Sequence, residues 1–242
     1  MQVIERNMYM AKEQARLRVG KHPFLYCSLY RLWRGNDAPR LVNQSTQIVI
    51  EGFPRSGNTF AVTAFRQAQD EDVRIAHHLH VPTQVIRAAH LQIPILVLIR
   101  EPADAVSSLM VREPRITARY ALNYYISFYR TVAKYRSAYV LGTFDEVTNN
   151  YGITIGRINA KFGTHFSVFE HTDANLRAAV FARIEKLNMI NDGGSENRVA
   201  RPSAARTGLK NTLRETLETR KKLRTLLLEA EAVHHDLTIT HG

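Results

Sequence analysis

The chain has 242 residues, 45% of them hydrophobic and 23% charged, a globular balance that excludes disordered, collagen-like and coiled-coil chains and leaves room for one domain, two at most. Lys and Arg number 33 against 22 Asp and Glu, a formal charge of +11, so the expected partners are anionic: nucleic acid, anionic lipid, a phosphorylated cofactor or an acidic glycan. The longest apolar run, Ile93 to Ile99, contains a proline and falls well short of the ~18 residues of a membrane span. The N-terminal stretch has no continuous apolar core, and Cys27, the single cysteine, offers neither an internal disulfide nor a zinc cluster. A reducing, cytoplasmic location is the expectation.

In chain order, residues 1–40 read as a basic, partly helical N-terminal extension. Short apolar runs then alternate with helical stretches. Gln47 to Glu51 is a β-branched strand, followed by a glycine loop and an amphipathic helix, Thr59 to Gln69. Asp72 to Ala76 is a weaker strand, and Pro82 to Ala89 a short helix opened by proline. Ile93 to Ile99 has the length and β-branched content of a buried strand, and Pro102 opens the next helix. Thr117 to Ser137 carries a helical apolar stripe, Tyr139 to Phe144 is a fourth strand, and helical stretches follow near 150–162, 174–188 and 203–233. Strand alternating with helix predicts a single three-layer α/β/α domain with a central parallel sheet, like that of the phosphate-loop nucleoside triphosphatases. Ligands of such sheets bind at the C-terminal ends of the strands.

Two of those ends carry chemistry. After the first strand comes GFPRSGNTF, in which four residues separate Gly52 from Gly57 and Thr59 follows. This is phosphate-loop spacing, with Asn58 where a nucleoside triphosphatase has its lysine and a new cation at Arg55. The glycines let backbone N–H groups curl inward, and the following helix offers its positive end to an anion. Without the lysine, triphosphate hydrolysis is disfavoured. A tight strand-to-helix turn with incidental glycines is the plainer explanation of the same residues. The third strand ends in LIREPADAVSS, placing Arg100 where a nucleoside triphosphatase commonly has a magnesium-binding aspartate. A cation there calls for a second anionic group. Asp104 and Ser108 share a helix face and Asp104 is placed to orient Arg100, although a simple Arg100–Asp104 ion pair explains both residues too.

Together, GFPRSGNTF and LIREPADAVSS resemble the two segments with which sulfotransferases bind 3′-phosphoadenosine-5′-phosphosulfate (PAPS). The resemblance spans Gln47 to Gly163, including VLGTFDEV. It implies that Arg55, Ser56, Gly57, Asn58 and Thr59 cradle the 5′-phosphosulfate, that Phe60 stacks on adenine, and that Arg100 and Ser108, eight residues apart, hold the 3′-phosphate. Phe144 falls where an adenine-contacting tyrosine often lies. Two departures stand out: Arg55 replaces the family's lysine, and Asn58 replaces a threonine. Arginine is planar and bulkier than lysine, which alters its reach to the bridging oxygen.

Past the second strand, VRIAHHLHVP holds His77, His78 and His80. Sulfuryl transfer to a hydroxyl needs a base that titrates in the histidine range. AHHL resembles the family's lysine–threonine–histidine–leucine segment, which makes His78 the first candidate for the base and His80 the second. Surface histidines are the plain alternative, and no further ligand pattern supports a metal site. Residues 198–242 form a basic helical segment: Arg198 to Arg224 holds nine basic and two acidic residues. Arg201 and Arg206 are candidates for closing over the 3′-phosphate, against the reading of a solvated basic helix.

The sequence therefore leads to a sulfotransferase that moves a sulfuryl group from PAPS to a hydroxyl or amine, with His78 as base, Arg55 stabilising the departing phosphate, and adenosine 3′,5′-bisphosphate as product. The acceptor class is a small molecule, glycan or lipid; the positive charge favours an acidic or phosphorylated one. Tyr120, Tyr124, Tyr125 and Tyr129 are either pocket-lining or core residues. No nucleic acid, metal or transmembrane segment is expected. The alternatives are a nucleotide or small-molecule kinase on the same loop and a non-catalytic basic module for nucleic acid or anionic membrane.

Overall fold

Side chains alternate between two apolar faces along four short parallel strands, and that alternation sets the architecture. The strands are β1 (Ile48–Gly52), β2 (Ile75–His77), β3 (Ile95–Ile99) and β4 (Val140–Thr143), in the order β2-β1-β3-β4. The computed structural model describes residues 2–35, 40–176, 184, 186, 189 and 204–239. Its helices, in chain order, are α1 (Gln2–Val19), α2 (Pro23–Arg34), α3 (Asn58–Ala68), α4 (Pro82–His90), α5 (Pro102–Arg112), α6 (Ala118–Ala133), α7 (Phe144–Phe162), α8 (Ala204–Thr219) and α9 (Lys221–Ile239).

Ile48, Ile50, Ile75, Leu96, Leu98 and Val140 pack on α3 and α7, while Val49, Ala76, Ile95, Val97, Ile99 and Leu141 pack on α4, α5, α6 and α9. The result is a three-layer α/β/α fold around a parallel sheet. Burying each such side chain contributes about 1.5–3 kcal/mol, and β1 and β3, covered on both faces, form the rigid centre. The chain runs from β1 out to β2 and then back across β1 to β3, so the C-terminal ends of β1 and β3 flank the crevice where the winding reverses direction.

The N-terminal extension forms α1 and α2 and is docked on the domain: Arg16 donates to the Leu79 carbonyl at 3.0 Å, and the Gly20 carbonyl accepts from Thr83. The other elements depart from expectation in three places. Strand β2 starts at Ile75 instead of Asp72, because Asp70, Glu71 and Asp72 stay exposed and only Arg74 pairs with Gln47 ahead of the strand. Phe144 is the first residue of α7 rather than the last of β4, since Thr143 and Glu146 close a capping box there. That helix bends at Asn150, where φ is −152° and ψ is 57°, and the Tyr151 amide beside the bend finds His171 Nδ1 at 3.3 Å. The stretch expected at 203–233 breaks at Arg220, whose carbonyl accepts from Leu223 and Arg224 to start α9. Of the helix expected at 174–188, residues 177–183, 185, 187 and 188 lie outside the described residues. No described helix is long and apolar enough to cross a membrane.

Candidate functional site

The crevice is narrow by construction. A Cβ on Gly52, the last residue of β1, would lie 2.4 Å from the Leu98 carbonyl oxygen, so only glycine lets the two strands close at this point. Beyond it the chain turns through Phe53, Pro54, Arg55, Ser56 and Gly57. Gly57 sits at φ 89° as the N-cap of α3, the left-handed geometry a glycine supplies without strain. Arg55 also lies at positive φ, 71°, a conformation that costs a non-glycine roughly 1–2 kcal/mol. The turn is fastened from inside: Asn58 Nδ2 donates to the Phe53 carbonyl at 3.0 Å, and the buried Ser56 Oγ lies 3.4 Å from the Tyr129 hydroxyl.

At the end of β3, Arg100 reaches back to this loop. Its Nη1 donates to the Arg55 carbonyl at 3.2 Å, its Nη2 to Asp104 Oδ2 at 3.3 Å, and its guanidinium carbon lies 3.9 Å over the Phe144 ring. Phe144 is thus held between Arg100 and Gly57, whose missing Cβ would touch the ring at 3.4 Å. Arg55 Nε in turn donates to Ser108 Oγ at 3.0 Å. Two guanidinium groups are thereby drawn to one crevice. Burial pulls Arg100 below its usual range, opposed by Asp104, Asp145 and Glu101. Its Nε is a buried donor without a hydrogen-bond partner, and so is the Asn58 Oδ1 acceptor. An anion oxygen is the natural complement of the first.

Helix α8 closes this side. Lys210 Nζ and Arg214 Nη1 each lie 2.8 Å from Asp104 Oδ1, so three cations converge on one carboxylate. Burial pushes the Asp104 carboxyl up, but the hydrogen bond from Lys210 and the charges of Lys210, Arg100 and Arg214 outweigh it and hold the group below its usual range. The residues that the sequence offered for closing over a second anion are Arg201 and Arg206. Arg201 and the Arg206 side chain lie outside the described residues. The available signal was Lys210 and Arg214 spaced i, i+4 on one face.

The third loop, after β2, carries the histidines. His78 and His80 both have positive φ, 57° and 52°, and the strain of two left-handed residues persists because the turn is held on every side. Leu79 between them donates its amide to Glu51 Oε2 at 2.9 Å and accepts Arg16 at 3.0 Å, and the His80 carbonyl accepts the Tyr124 hydroxyl. His78 spends both ring nitrogens: Nε2 lies 3.1 Å from Thr59 Oγ1, and Nδ1 lies 2.6 Å from His77 Nδ1. His77 Nε2 faces Arg66 Nη2 at 3.4 Å. Burial, then the charges of Arg66, Arg40 and His80, pull His77 down to about 3; burial and the neighbouring histidines and arginines likewise push His78 well below the usual range. His80 differs. Its Nδ1 is 2.8 Å from the Gly52 carbonyl oxygen and 3.2 Å from Glu51 Oε1, and Nε2 has no hydrogen-bond partner among the described residues.

Glu51 was missed as a site residue. By alternation it shares the face of Val49, where the core calls for an apolar side chain, yet it is a fully buried acid. An acid in that register is the signal sequence reading passed over. The α6 tyrosines fasten the loops: Tyr124 binds the His80 carbonyl, Tyr125 donates to the Arg100 carbonyl at 2.7 Å, and Tyr129 donates to the Leu98 carbonyl at 2.7 Å while accepting from the Phe53 amide. All three rings are buried, as is Tyr120. Phe60 is also buried, edge-on to Phe169 and stacked on His171 below the loop. Among the described residues no group of three His, Cys, Asp or Glu could hold a metal ion.

No family model and no curated protein matches the chain. Among solved structures, mouse sulfotransferase SULT7A1 complexed with PAP aligns with 12% identity and a TM-score of 0.44, over 77% of this chain and 89% of that one.

Proposed function

We propose that the chain transfers a sulfuryl group from PAPS to a hydroxyl acceptor. The observation that carries this reading is the partly buried Arg100 guanidinium, its buried Nε–H unmet, beside a glycine loop that opens a helix. One anion fits the loop amides and the α3 N-terminus with Arg55, and a second fits Arg100 and Ser108. PAPS carries both a 5′-phosphosulfate and a 3′-phosphate. A kinase reading finds Asn58 and Arg100 where a lysine and a metal-binding aspartate are expected.

The proton of the acceptor hydroxyl goes to His80 in this proposal, and Gly52 and Glu51 orient it. With Nδ1–H donated to Gly52 and Glu51, His80 turns the lone pair of Nε2 outward, and the carboxylate behind it stabilises the imidazolium that forms. His78, hydrogen-bonded at both nitrogens, has no such lone pair to offer. As the O–H bond breaks toward Nε2, the acceptor oxygen bonds to sulfur. The bond from sulfur to the bridging oxygen breaks, leaving its electron pair on the 5′-phosphate near Arg55 and the α3 amides.

Thermal denaturation with adenosine 3′,5′-bisphosphate and, separately, with ATP and magnesium tests the donor. At a hundredfold excess over the dissociation constant the bisphosphate should stabilise the fold by about 2.7 kcal/mol without magnesium, and ATP far less. Equal shifts, or none with the bisphosphate, reject the reading.

A further inference from the structure

Helix α2 reads PFLYCSLYRLWR, and its apolar residues divide between two faces. Tyr26 and Cys27 turn inward onto Leu41, Leu79 and Val81, with Tyr30 partly buried beside them. On the other side Phe24, Leu25, Leu29, Leu32 and Trp33 are 86, 46, 48, 86 and 70% exposed. Leu25, Leu29 and Trp33 repeat at i, i+4 and i+8, Leu32 lies three residues after Leu29, and Phe24 adjoins Leu25, so the five share one side of the helix. Single exposed apolar side chains need no explanation; a contiguous stripe of five does.

The surrounding charge says what kind of surface covers it. Between Gln14 and Asn36 the chain carries Arg16, Arg18, Lys21, Arg31 and Arg34 and no acidic residue. Arg18, Lys21 and Arg34 are exposed, and the Arg34 guanidinium lies 4.2 Å over the Trp33 ring. A two-fold contact with a second copy would face these cations with themselves. An apolar stripe of Phe, Leu and Trp on a helix whose own charges, and those of the turn before it, are all positive is the composition of a helix that lies in a membrane interface. The rings and leucines enter the acyl boundary, and the basic side chains reach the headgroups.

We propose that the outer face of α2 docks on an anionic lipid bilayer. The proposal does not depend on which group the crevice transfers. It does place the bilayer against the helix whose inner face packs on Leu79, the residue between His78 and His80.

Trp33 is the only tryptophan, so its fluorescence reports this contact directly. The full chain is mixed with vesicles of phosphatidylcholine, with and without phosphatidylglycerol, at low and high salt. The expected result is a blue shift and co-sedimentation with the phosphatidylglycerol vesicles, weakening as salt rises. Leu32→Glu should cut binding at least about tenfold with Trp33 still present as reporter, and Lys21→Glu with Arg34→Glu should do the same by charge. All three side chains are exposed, so the melting temperature should hold. Absence of binding at low salt overturns the proposal. So does binding unaffected by Leu32→Glu, which would assign it to another basic surface such as the C-terminal segment. A concentration-dependent dimer that Leu32→Glu dissociates, without vesicle binding, overturns it in favour of a second copy.

Discussion

Asp104 on α5 and Arg214 on α8, 110 residues apart in the chain, meet at 2.8 Å. The contact joins α8 to the helix that follows β3 and makes one carboxylate the shared counter-ion of Arg100, Lys210 and Arg214. A second anion in the crevice would face an excess of positive charge held together by this single acid.

Asp104→Asn should therefore act in two directions. Without ligand the protein loses roughly 1–2 kcal/mol, because three cations lose a charge-assisted partner at a half-exposed site. With adenosine 3′,5′-bisphosphate or sulfate present, ligand-induced stabilisation should exceed that of the parent. Melting curves over an anion series measure both effects, and an unchanged response to anions removes the cluster from the site.

Arg100→Ala separates the two anionic groups of the donor. It should weaken PAPS much more than adenosine 5′-phosphosulfate, which lacks the 3′-phosphate. Loss of one charge-assisted contact, about 1.5–3 kcal/mol, corresponds to roughly ten- to a hundredfold. Calorimetry with both ligands reads this difference; equal losses would mean that Arg100 supports the loop through the Arg55 carbonyl alone.

The histidine assignment rests on His80→Asn, since asparagine tolerates the left-handed backbone at that position. Turnover should fall ~10²–10⁴-fold with bisphosphate affinity nearly intact. His78→Asn should be much milder. Glu51→Gln should lower turnover with little change in the donor's KM, and Glu51→Asp should restore part of it. The assay follows PAPS consumption with water as acceptor, or with hydroxyl acceptors found by screening glycans, phenols and lipid alcohols. If His78→Asn abolishes turnover and His80→Asn does not, the base is His78.

Acid should unfold the protein through His77. In the unfolded chain this imidazole takes its proton near 6.5, whereas in the fold it resists until about 3. Between those values the unfolded state binds more protons, so stability is full above about 6.5 and is lost as pH falls toward about 3; His78 acts in the same direction. Urea midpoints across this window should fall as pH is lowered, and His77→Gln should flatten the slope. A slope unchanged in that variant would place the titration elsewhere.

Much of this was legible before any coordinates, for identifiable reasons. The alternation in β1 and β3, the proline openings of α4 and α5, and the glycine spacing are local signals, and local signals survive folding. Asn58, Thr59, Arg100 and Ser108 stand out in the sequence because they lie in the loop or first helical turns after a strand. What escaped was produced by packing. His78 meets Thr59 and His77 with its two ring nitrogens, and Glu51 joins the histidine turn only because His80 and the Leu79 amide fold back on it. Lys210 reaches the crevice because α8 lies along α5. No spacing rule links residues that far apart.

Tyr124, Tyr125 and Tyr129 lie on one helix and tie down three different loops. Helix α6 is therefore a common ruler, and the separations among the histidine turn, Arg100 and the glycine loop are graduated by helical pitch rather than by the loops. That ruler is itself clamped from outside by Arg130 and Glu229 of α9, 2.6 Å apart. A change that rotates α6 by a fraction of a turn would detune donor grip and proton transfer together, whereas a change within any one loop would detune only its own share.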